Sequence, residues 1–111
     1  MKAHDRIILE KVCKYAEQTV KFAGGLNFDK FSADDKTVSA CVFSLSQVGE
    51  MVNKFSEEFF RTNVSIPWHK IKGLRNRIVH DYDGIRLNII WDVINDYLPD
   101  LIKEIKELLK K

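Results

Sequence analysis

Apolar residues recur at steps of three and four along most of this chain, and interruptions of that rhythm divide it into four stretches. In the first, Ile8, Val12, Tyr15, Ala16, Thr19, Phe22 and Ala23 keep helical spacing until Gly24-Gly25 stops it. Asn27 to Phe31 reads as a connection, and Ser32 suits the N-cap of a second helix whose opening residues, Ala33-Asp34-Asp35, bring acid to the positive helix end. Val38, Val42, Leu45, Gly49, Val52 and Phe59 carry that helix to the polar stretch Arg61-Thr62-Asn63, a predicted spine roughly 40 Å long at 1.5 Å per residue. Gly49 inside it sacrifices helix propensity, which points either to a bend in the helix or, the favoured reading, to a close approach by a neighbouring helix. Ser65-Ile66-Pro67-Trp68 starts a third helix, which runs through about His80, and Asp81-Tyr82-Asp83-Gly84 offers turn residues. The last helix runs from about Ile85 or Leu87, with Ile90, Val93, Ile94, Tyr97, Leu101, Ile102, Ile105 and Leu108 as its stripe. Pro99 must kink or divide it, because proline removes the amide that would bond the Asn95 carbonyl.

Four amphipathic helices joined by short turns predict an all-α protein, an antiparallel up-and-down four-helix bundle occupying residues 1–111 as a single helical domain. A chain of 111 residues suits one hydrophobic core. Bundles host oxidases, signalling partners and nucleases alike, so the fold leaves function open.

Composition narrows the field. Apolar residues at 45% and charged residues at 31% suit a globular protein and argue against disorder. No apolar run approaches the ~18 residues a membrane span requires, and Ile7-Ile8-Leu9 before Glu10 is too short for a secretory core, so a cytoplasmic protein without membrane association is expected. Cys13 and Cys41 stand apart from each other and from His4, His69 and His80; reduced core thiols are expected, with no metal site and no cofactor. The net charge of +2 does not announce a polyanion binder, so any such site must be local. Lys70, Lys72, Arg75 and Arg77 form the densest cationic cluster. Lys103, Lys106, Lys110 and Lys111 alternate with Glu104 and Glu107 and suit a helix C-terminus.

Chemistry concentrates in the third helix, where Arg75, Asn76, His80 and Tyr82 crowd one end. Singly, each has a simpler role: His80 as a helix cap, Arg77 with Asp81 as an ion pair, Tyr82 as packing. Together they suit RNA cleavage. The ribose 2′-hydroxyl is a built-in nucleophile, so the protein need only remove its proton, stabilise the phosphorane charge and protonate the leaving oxygen. Arginine matches phosphate oxygens and histidine titrates near neutrality. Asn76 and His80 share a helix face, whereas Arg75 and His80 lie roughly 140° apart around the axis, so either the helix loosens near His80 and the long Arg75 side chain reaches round, or, the favoured arrangement, the site is completed across a homodimer. Lys70, Lys72 and Arg77 are candidates for RNA backbone contacts.

The spacing Arg-x4-His-x-Tyr, filled by Arg75, His80 and Tyr82 with Asn76 directly after the arginine, resembles the signature of the HEPN superfamily. Ile66-Pro67-Trp68, Leu74-Arg75-Asn76, His80-Asp81-Tyr82, Trp91 and Leu98-Pro99 are similar to its HepT-like branch. The resemblance implies a single HEPN-type domain that dimerises near its motif helices and acts as a metal-independent ribonuclease toxin. It makes Arg75 and His80 the catalytic pair, with Asn76 in support. It also implies a minimal nucleotidyltransferase (MNT-type) antitoxin that transfers AMP from ATP to Tyr82. Two other readings stay open: a non-catalytic subunit that presents nucleotide or another substrate to a nucleotidyltransferase, and a plain adaptor bundle.

Overall fold

The computed structural model describes residues 1–81 and 86–111, and the side chains of all of these except 79–81. Helix α1 (Ala3–Ala23) buries Ile8, Leu9, Val12, Cys13, Ala16, Thr19 and Ala23 along one stripe. It ends at Gly24, and Gly25 takes a φ of 81°, a left-handed conformation that a side chain would oppose.

The expected connection is instead a short helix, α2 (Phe28–Ala33), capped by the Asn27 side chain, which accepts the Lys30 amide at 2.9 Å. Aromatic burial holds it. The Phe31 and Phe28 rings lie 5.0 and 6.3 Å from the Trp91 ring, tying α2 to an element sixty residues away that local sequence does not reveal. The cap of α3 (Asp35–Val52) is correspondingly Asp34, not Ser32. The Asp34 carboxylate accepts the Thr37 amide at 3.1 Å, while the Ser32 hydroxyl donates to the Asp29 carbonyl.

The predicted long spine is also broken. Helix α3 has 18 residues, about 27 Å at 1.5 Å per residue, and α4 (Glu57–Thr62) is a separate helix. Asp5, only 2% exposed, accepts the Ser56 amide at 2.9 Å and the Ser56 hydroxyl at 2.6 Å. Ser56 in turn accepts the Phe59 amide and caps α4. An amide bonded to Asp5 cannot also continue the α3 ladder. Burial would raise the Asp5 carboxyl, but the two Ser56 hydrogen bonds outweigh it and hold the group below its ordinary range. Behind this junction Phe55 stacks on Phe59 at 3.9 Å, and both rings meet Trp68.

Helix α5 (Trp68–Asp81) follows Pro67, and the Trp68 indole N–H donates to the Asn63 carbonyl at 2.9 Å. The C-terminal stretch comprises α6 (Leu87–Asp92), one π turn (Val93–Tyr97) and α7 (Leu98–Leu109). Its division falls just ahead of Pro99: the Leu98 amide bonds the Val93 carbonyl, and the proline sits in the first turn of α7, where a missing amide leaves nothing unpaired.

Helices α1 and α3 run antiparallel, since Asp5 meets Ser56 at one end and the Cys41 thiol donates to the Thr19 carbonyl at the other. Helix α1 packs against both α3 and α7, and α3 against both α1 and α5. Among the described residues helix α5 packs mainly on α3, with the Trp68 ring at its start also against Phe59 of α4. The result is a flattened all-helical body, 42 × 27 × 19 Å, with α5 along an edge and no strand among the described residues. Both cysteines are free and buried, and no described helix is long and apolar enough to cross a membrane.

Candidate active site

Trp68, Ile71 and Ile78 form the buried side of α5, and Leu74 packs partly against the core. Arg75 falls at the border of that side. Its position depends on Gly49 of α3: a Cβ added there would come within 2.7 Å of the Arg75 Cβ, 3.0 Å of the Arg75 amide nitrogen and 3.2 Å of the Ile71 carbonyl oxygen. Only glycine allows the two backbones to approach so closely, which is the role its place in the stripe suggested. The next residue of α3 completes the placement, because the Glu50 carboxylate holds the Arg75 Nε at 2.7 Å. Both side chains stay about two-fifths exposed, at 42% for Arg75 and 41% for Glu50.

Helical geometry orders the other candidates around this point. Asn76 is exposed. The α-helix continues through Asp81, so position 80 lies about 40° from position 76 and about 140° from position 75. The side chain of His80 and the whole of Tyr82 lie outside the described residues; of the expected turn at residues 81–84, Asp81 belongs to α5 and the rest also lies outside them. Positions 69, 72, 76 and 80 share one strip, spanning about 80° of the helix circumference. Lys72 belongs to that strip. Lys70 and Arg77 are exposed but sit about 140° and 160° round from Arg75, on the other side of α5.

Two features of this surface were not anticipated from the sequence. One is Glu50, which appears in the chain only as an acidic residue at the polar edge of an apolar stripe. The other is a shallow groove at the start of α5, lined by Phe60, Val64, Ile66, Trp68, His69 and Lys72, with the Lys72 ammonium 4.7 Å above the Phe60 ring. From Trp68 to His80 helix α5 carries no acidic residue, so Glu50 is the carboxylate that meets its cations at Arg75. Among the described residues no group of three histidine, cysteine or acidic side chains is placed to hold a metal ion.

The family described as "Ribonuclease HepT-like" matches residues 12–108, a span that includes the whole of α3, α5 and the motif. The chain is 34% identical to "Putative RNase MJ0127" of Methanocaldococcus jannaschii, over 95% of this chain and 87% of that protein. It is 34% identical to "Putative RNase TTE0752" of Caldanaerobacter subterraneus subsp. tengcongensis, over 96% and 95% of the two chains. It is 26% identical to "Probable ribonuclease HepT" of Thermococcus cleftensis, over 99% of this chain and 100% of the relative. No solved structure matches.

Proposed function

The chain belongs to the HepT-like ribonuclease family, and from that premise we propose that it is an RNA endonuclease whose reaction needs no metal and which serves as the toxin of a toxin–antitoxin pair. The observation that carries the reading is the family match across residues 12–108, which takes in Arg75, Asn76, His80 and Tyr82. In this mechanism His80 removes the proton of a ribose 2′-hydroxyl, the 2′-oxygen attacks the adjacent phosphorus, and the 5′-oxygen of the next nucleotide leaves, taking a proton from solvent water. Arg75 stabilises the charge that builds on the phosphorane oxygens, and Asn76 supports it by hydrogen bonding. Lys72 and the groove beside Phe60 offer a cation and an aromatic face to the flanking nucleotide.

The chain acts as a homodimer in this reading. Position 80 lies too far round a regular helix to face the same way as Arg75, and among the described residues α5 sits at the edge of the fold, packed mainly on α3. Two copies brought together along that edge pair an arginine from one with a histidine from the other.

The partner is an MNT-type nucleotidyltransferase. The Tyr82 hydroxyl attacks the α-phosphorus of ATP, pyrophosphate leaves, and the tyrosine carries AMP. An anionic nucleotide two residues from His80 occupies the phosphate site and repels RNA.

The deciding measurement is RNA cleavage in EDTA by the native protein, His80→Ala and Arg75→Ala. Native protein is expected to leave 2′,3′-cyclic phosphate ends and the variants to lose cleavage with the fold retained; full cleavage by both variants, or none by the native protein, overturns the assignment. Mass spectrometry of the co-expressed pair tests the regulation, since unmodified Tyr82 in a neutralised complex would replace AMP transfer with blocking by contact.

A further inference from the structure

We propose that Glu50 is the positioning residue for Arg75, setting the plane of its guanidinium so that the terminal nitrogens face the scissile phosphate; this rests on the ribonuclease reading above. Arg75 is constrained at both ends. Its Cβ lies over Gly49, where no side chain fits between the helices, and its Nε is held by the Glu50 carboxylate at 2.7 Å. Of the five N–H donors of a guanidinium, Nε carries one, so a partner taken through Nε leaves the edge formed by the two terminal nitrogens for a bidentate hold on phosphate oxygens.

Stability does not account for the pair. With both side chains about two-fifths exposed, such an ion pair contributes little to folding. RNA affinity does not account for it either, because a carboxylate beside a phosphate site repels the substrate. What the pair supplies is orientation: a long side chain with four rotatable bonds is fixed before substrate arrives, which lowers the barrier of a step that depends on where the donors point. Glu50 therefore acts with opposite signs on binding and on turnover, and that split identifies a positioning role.

The test compares Glu50→Ala and Glu50→Gln with the native protein for single-turnover cleavage in EDTA, RNA affinity and thermal midpoint. Glu50→Ala is expected to cut roughly ten- to hundredfold more slowly while binding RNA as tightly as native protein or more tightly. Glu50→Gln, whose side-chain oxygen still accepts from Nε, recovers most of the rate. Native turnover in Glu50→Ala, faster turnover in it, or equal losses in the Gln and Ala variants would each overturn the proposal while leaving the ribonuclease reading intact. Absence of cleavage by the native protein overturns the ribonuclease reading, and this proposal with it.

Discussion

Gly49 and Arg75 are in contact through their backbones: an added Cβ at position 49 would stand 2.7 Å from the Arg75 Cβ and 3.0 Å from its amide nitrogen. The obstructing atoms belong to the base of a side chain and to a helix backbone, neither of which can swing aside. Gly49→Ala therefore pushes α5 away from α3. The gain of up to ~1 kcal/mol in helix propensity is outweighed by overpacking of about 1–3 kcal/mol. Thermal unfolding should show a lower midpoint, and turnover should fall more than stability because Arg75 moves with its helix. An unchanged midpoint would mean that the helices separate at no cost.

Gly73, on the same helix, makes the opposite case. It is exposed, and a Cβ there meets nothing within 4 Å. Gly73→Ala should stabilise the protein by about 0.5–1 kcal/mol through backbone entropy alone, read as a rise of a few degrees in the thermal midpoint.

The Asp5–Ser56 contact predicts a pH dependence. The folded carboxyl titrates below its unfolded value, so its contribution is present above the ordinary carboxylate pKa of about 3.9 and is lost as pH falls through the folded value. Asp5→Asn keeps one oxygen for the Ser56 amide but replaces the charged acceptor of the Ser56 hydroxyl with a neutral NH2 group, and should cost roughly 1–3 kcal/mol at pH 7. The difference in midpoint between native protein and Asp5→Asn should shrink below pH 4. A difference that stays constant to pH 2 would show that Asp5 is not bonded in its ionised form.

Cys13 and Cys41 should be chemically silent in the folded protein. Burial raises both thiols to about 11, and for Cys13 the hydrogen bond to Glu17 adds to the effect. At pH 7.5 the thiolate is a minor species in a closed site, so iodoacetamide should label neither until the chain is unfolded. Rapid labelling of the native protein would contradict the packing of α1 against α3.

Much of this fold was legible in the sequence because helical periodicity reports which side of a segment is buried. The end of α1, the start of α5 and the stripe of the C-terminal stretch follow from local spacing and from glycine and proline. The role of Gly49 was legible for the same reason, since a glycine within an apolar stripe is tolerated where a neighbour presses close. The short helix α2 was not legible, because its hold is Phe31 and Phe28 against the distant Trp91. Nor was the break between α3 and α4, where Ser56 answers to a buried Asp5 some fifty residues earlier. Both depend on contacts between residues far apart in the chain, which periodicity does not carry.

The candidate site divides the same way. The sequence by itself determined the residue types and spacing of Arg75, Asn76, His80 and Tyr82, and placed Arg75 and His80 on different sides of one helix, because 100° per residue follows from the α-helix alone. It grouped Lys70, Lys72 and Arg77 by adjacency. The same 100° step sets Lys72 on the strip of α5 that carries Asn76 and turns Lys70 and Arg77 away from Arg75, and the tertiary structure adds that Lys70 and Arg77 are exposed while Lys72 lies over the Phe60 ring. Only the tertiary structure decided what holds Arg75. Glu50 lies twenty-five positions earlier on another helix and meets the guanidinium because Gly49 lets the two backbones close to contact.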